Sequence, residues 1–76
     1  MNKGGDHLKP VKDCNNHTVC FIDESTGYVE AAYKKQTTST HLSVGDSFMI
    51  ERGDAQTILT RVSDSKIKVE RHRIAA

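Results

Sequence analysis

A chain of 76 residues with 36% apolar content and a mean hydropathy of −0.58 has room for one domain and a thin core. Its 11 basic and 10 acidic residues leave a formal net charge of +1, which excludes a chain-wide field that would gather nucleic acid, membrane or acidic substrate. No apolar run approaches the roughly eighteen residues of a membrane helix, and residues 1–10 carry no stretch of secretory-signal length, so no membrane association and a cytoplasmic setting are expected.

In chain order, residues 1–14 hold Gly4-Gly5, Pro10, three lysines and two aspartates against Leu8 and Val11 alone. This composition predicts a flexible polar tail, leaving residues 15–76 as a single β domain. Residues 17–22 (His-Thr-Val-Cys-Phe-Ile) are β-branched and aromatic and predict a strand. Residues 23–27 read as a turn, with Gly27 supplying a left-handed backbone. Residues 28–33 predict a second strand, with Val29, Ala31 and Tyr33 on one face. Ala and Glu leave a helix as the rival there, and the flanking Gly27 favours the strand.

Residues 36–41 (Gln-Thr-Thr-Ser-Thr-His) are uniformly polar, which suits a loop or a solvated edge strand, and residues 42–46 read as a bend. Three apolar runs follow. Phe48-Met49-Ile50 and Thr57-Ile58-Leu59-Thr60-Arg61-Val62 are divided by Gly53-Asp54, a break that suits a type II′ hairpin. Ile67-Lys68-Val69 follows Ser63-Asp64-Ser65. The expected fold is all-β: a five- to six-stranded antiparallel meander, either an SH3-like barrel or a curled sheet. Its expected core is Val19, Phe21, Ile22, Val29, Tyr33, Phe48, Ile50, Ile58, Leu59, Val62, Ile67 and Val69, with Cys20 as a small buried side chain.

Four groups of residues invite a chemical reading. Cys14, His17 and Cys20 place two thiols and an imidazole close together, and His41 or His72 could complete a zinc tetrahedron. Their spacing departs from the paired-cysteine knuckle, so neither metal nor other cofactor is expected; a buried Cys20 beside a surface Cys14 is the expected arrangement, with zinc or one disulfide as lesser alternatives. Arg52-Gly53-Asp54 spells an adhesion tripeptide, but hairpin geometry alone demands Gly-Asp there. His41, Ser43 and Asp46 lie near one another without an elbow or phosphate nest, so no enzyme is expected.

The last group is basic. Arg61, Lys66, Lys68, Arg71 and Arg73 could follow a phosphate backbone, although only Tyr28 and Tyr33 offer stacking platforms beside them. Nucleic-acid binding through these five is therefore the alternative. The leading expectation is protein interaction, with a partner or with a second copy as a homodimer, through an edge strand. The neutral run Thr37, Thr38, Ser39, Thr40 and His41 lacks the charges and prolines that block strand addition, although Lys34-Lys35 stand at its border, and Leu42 and Met49 are expected beside it as apolar contacts.

Overall fold

In a computed structural model, which describes residues 8–33 and 36–74, the chain is all β, without a helix among the described residues. Seven strands follow in order: β1 (Lys9–Lys12), β2 (Thr18–Asp23), β3 (Tyr28–Tyr33), β4 (Gln36–His41), β5 (Ser47–Arg52), β6 (Ala55–Ser63) and β7 (Lys66–Arg73). They form two antiparallel meanders, one of order β1-β2-β3-β4 and one of order β5-β6-β7. The architecture is thus two separate sheets, not a closed barrel, and holds more strands than the five or six expected. The added strand is β1, which lies inside the segment expected to be a flexible tail.

β1 forms although Val11 is its single buried residue. Its ladder with β2 and the turn behind it hold it in place. In that turn the Asp13 carboxylate accepts the backbone N–H groups of Asn15 (2.9 Å) and His17 (3.0 Å), while Asp13 N–H donates to the His17 carbonyl. Asn16 takes the left-handed conformation, φ 68°, that asparagine tolerates better than most residues.

The hairpins follow the sequence punctuation. Gly27 closes the β2–β3 turn at φ +82°, and a Cβ there would overlap the carbonyl oxygen of Leu42, so glycine is required on two counts. Gly53 has φ +59° and Asp54 no positive φ, the pattern of a type II′ turn between β5 and β6. The β6–β7 turn at Asp64-Ser65 uses no glycine; instead Val62 is an extra residue in β6, where the register shifts.

The core lies between the sheets. Val11, Val19, Cys20, Ile22, Val29 and Leu42 from the first half meet Ile50, Leu59 and Ile67 from the second, with Ala31, Phe48 and Val69 packed against them. Strand alternation puts Ile22, Val29 and Leu59 there. Val19 follows a different rule. The β1–β2 register skips it, and this bulge turns Val19 and Cys20 to the same side, both buried. Phe21 (39% exposed) and Val62 (45%) were expected inside and lie outside; Ile58 is half-buried. The side chain of Tyr33, also expected inside, falls outside the described residues.

The chain passes from one sheet to the other through residues 42–46. Leu42 is buried as it crosses, donating its N–H to the Gly27 carbonyl (2.8 Å). Asp46 caps the bend by accepting Ser43 N–H (3.0 Å), and the link is stitched to the end of β6 by Gly45 N–H to Arg61 O (2.7 Å) and Arg61 N–H to Asp46 O (3.0 Å). No described helix is long and apolar enough to cross a membrane.

Candidate functional site

Two sheets with open ends have four edge strands: β1, β4, β5 and β7. An edge offers N–H and C=O groups to any strand that can approach, so what matters is how each edge is guarded. β1 is short, contains Pro10 between two lysine-bearing positions, and has its Lys12 carbonyl taken by Arg71 Nε (2.6 Å). β7 carries Lys66, Lys68, Arg71 and Arg73, and Glu24 Oε2 accepts its Ile67 N–H (3.0 Å). β5 carries Glu51 and Arg52, and Arg52 reaches across to the carbonyls of Ala32 (2.8 Å) and Val19 (3.4 Å).

β4 has none of these devices. It contains neither a charged residue nor proline, pairs with β3 on one side, and exposes Gln36, Thr37, Thr38, Ser39 and His41. The hydrogen bond from Leu42 N–H to Gly27 O fixes which residues face β3. Antiparallel alternation then leaves Thr37, Ser39 and His41 with their N–H and C=O groups directed at the open edge.

The side chains split the other way. Ser39 stands beside Glu30, with Phe21 one strand further in, and His41 stands beside Tyr28, all on the face away from the core. The Tyr28 and His41 rings are 5.1 Å apart and tilted by 55°, and Tyr28 OH donates to Glu30 Oε1 (3.0 Å). Thr38 and Thr40 share the inner face with Ala31 and Val29. Thr38 is nevertheless exposed, and β3 is the one element with which β4 makes extensive contact among the described residues.

The two apolar residues expected beside this run are not there. Leu42 is 5% exposed and belongs to the core. Met49 is 52% exposed, but it sits on β5 of the other sheet opposite Ile58. The sequence pattern alone could not separate them: Leu42 ends a uniformly polar run and Met49 sits inside the apolar run Phe48-Met49-Ile50, so neither has an alternation to orient it.

The five basic residues do not form one stripe. Lys66 and Lys68 point outward with Glu70, and Lys68 Nζ is 3.5 Å from Glu70 Oε2. Arg61, Arg71 and Arg73 belong to the other face, so Arg61 does not join the lysines. Their guanidiniums tie the fold together. Arg61 Nη1 donates to Leu42 O (3.0 Å) and Nη2 to Asp64 O (2.9 Å) and Ser25 O (3.4 Å). Arg73 donates to Asp54 Oδ2 (2.7 Å) and Asn15 Oδ1 (2.9 Å), and Asn15 Nδ2 returns to Asp54 Oδ1 (3.0 Å). This role escapes sequence reading, because an arginine looks the same whether its partner is a phosphate or a distant carbonyl of its own chain.

The remaining candidates are dispersed. Cys14 is half-buried with its Sγ 3.6 Å from the His72 carbonyl oxygen, Cys20 is in the core, and both thiols are free. Burial pushes the Cys20 thiol up to about 11, partly countered by the nearby Arg52 charge. Exposed His17 does not join them: the described residues bring no three His, Cys, Asp or Glu side chains together as a metal cluster. In the Arg52-Gly53-Asp54 tip, arginine turns inward and aspartate is held by Asn15 and Arg73, which with the Asn15 amide leading keep its carboxyl below the usual range. Asp46 faces Ser43 N–H, while His41 lies against Tyr28. Comparison with protein-family models, with curated proteins and with solved structures finds nothing that matches this chain.

Proposed function

We propose that this chain is a non-enzymatic β module that recruits an extended segment of a protein, from a partner or from another copy of itself, to the open edge of β4. The observation that carries this reading is the contrast among the four edges. Lysine, proline, arginine or a carboxylate guards β1, β5 and β7, whereas β4 presents the backbone groups of Thr37, Ser39 and His41 with short neutral side chains around them. Strand addition takes its affinity from such main-chain bonds and its selectivity from alternate side chains. His41, its ring tilted against Tyr28, stands on the outer face of β4 itself and gives the incoming strand one aromatic contact.

The test is selection of peptides from a random displayed library against the full chain, with each selected peptide then titrated while backbone amides are followed by NMR. The expected peptides are extended and β-prone, and they shift Thr37, Ser39 and His41 first. Ser39→Pro removes an outward N–H without touching the β3 ladder, so it abolishes the response and leaves the remaining spectrum intact. Peptides that bind elsewhere, or equally well to Ser39→Pro, overturn the reading.

A further inference from the structure

The strand best suited to the open edge is one this molecule carries itself. We infer that β4 pairs antiparallel with β4 of a second copy about a two-fold axis through Ser39, joining two four-stranded sheets into one of eight strands. This inference rests on the reading of β4 as a docking edge and names its occupant.

The register follows from the backbone. Outward-facing residues must meet outward-facing residues if their N–H and C=O groups are to close hydrogen-bonded pairs. With the axis at Ser39, Ser39 faces Ser39 of the second copy, Thr37 faces its His41 and Thr38 faces its Thr40. All three outward residues of both strands are then mutually satisfied within β4. An axis at Thr38 or Thr40 pairs only two of the three inside the strand.

The side chains accept that register. No charged residue stands opposite another, and the Thr38–Thr40 contacts are of the hydroxyl kind that stabilises cross-strand pairs. The same operation on β7 would bring Lys66, Lys68, Arg71 and Arg73 of both copies together, and on β1 it would meet Pro10 with Lys9 and Lys12. The exposed inner-face position of Thr38 adds a second reason. Thr38 on the inner face and Thr37, Ser39 and His41 on the outer face are all exposed, so the side chains around the axis are open to a second copy on both faces. A symmetric, self-complementary patch is what a two-fold dimer requires.

Sedimentation of the full chain over about a hundredfold range of concentration reads the result directly. The expected mass rises from 8.5 kDa toward twice that value. Ser39→Pro remains a folded monomer throughout. Ser39→Lys and Ser39→Glu each place like charges across the axis and are monomers alone, whereas their mixture forms the one-to-one dimer, and only an axis at or beside Ser39 gives that rescue. A dimer indifferent to Ser39→Pro overturns the proposal, and so does a mixture of Ser39→Lys and Ser39→Glu that stays monomeric. A wild type that is monomeric while library peptides still shift Thr37, Ser39 and His41 overturns self-pairing and spares the edge reading. A chain that neither dimerises nor responds to peptides takes both down.

Discussion

Cys14 and Cys20 show how far apart two chemically identical groups are set by six positions of chain. Cys20 is 1% exposed with its thiol pushed up to about 11, so at neutral pH it is protonated and shielded. A thiol reagent should therefore modify one cysteine in the folded chain and two after denaturation, with Cys14 as the early site by peptide mapping. The raised value also has a stability consequence. The unfolded thiol loses its proton near 9.0 and the folded one near 11, so that contribution is intact below pH 9 and is lost as pH rises through this interval. A denaturant midpoint that falls across pH 9–11 in the wild type, and less so in Cys20→Ala measured against its own neutral-pH value, checks it. Thr57 makes a complementary case: it is fully buried and its hydroxyl has no partner. Thr57→Val keeps the shape and removes an unsatisfied polar atom, so it should leave stability unchanged or raise it by about 1 kcal/mol in chemical denaturation.

At the scale of elements, the hairpins were legible and the layering was not. Gly27, Gly53 and the Asp64-Ser65 turn each mark a chain reversal that local backbone preference dictates, and the structure reverses at each. The neutral run 36–41 left loop and edge strand open; it is a strand. What defeats pattern reading is any residue whose fate depends on a distant partner. The bulge at Val19 breaks the alternation that would group it with exposed Phe21, and β1 exists because the Asp13 carboxylate organises its turn. The candidate site was legible to the same degree: the uncharged strand stood out, whereas Leu42 was misplaced because its burial follows from a crossing between layers. Arg61 sits at that crossing, bonded to Leu42, Asp64 and Ser25. Arg61→Lys preserves the charge but not the fork of donors, and should cost about 1–3 kcal/mol, read as a lower thermal midpoint.

The whole molecule is held by a few side chains that span its layers and turns, and their titration sets its response to acid. Glu24 is bonded by Lys9 Nζ (2.6 Å) and Ile67 N–H, Asp13 by His17 and Asn15 N–H, and Asp54 by Asn15 and Arg73. Each partner set, led for Glu24 by Lys9 and for Asp13 by the His17 amide, holds the carboxyl below its ordinary value. A depressed folded value means stability that is complete above the unfolded value, around pH 4, and is lost as pH falls through the folded ones. Denaturation followed by circular dichroism should therefore be flat from pH 7 to about 5 and decline below about 4. Glu24→Gln should flatten that decline by removing one of the three contributions.

The single passage at residues 42–46 divides the chain into two runs of neighbouring hairpins, each complete in its own pairing. Every ladder is therefore made between segments adjacent along the chain, and the one event requiring remote segments to meet is the closing of one meander upon the other. A nick at the exposed Ser43-Val44 bond should accordingly yield two fragments that find each other again in solution, regaining the native spectrum at a rate proportional to their concentration.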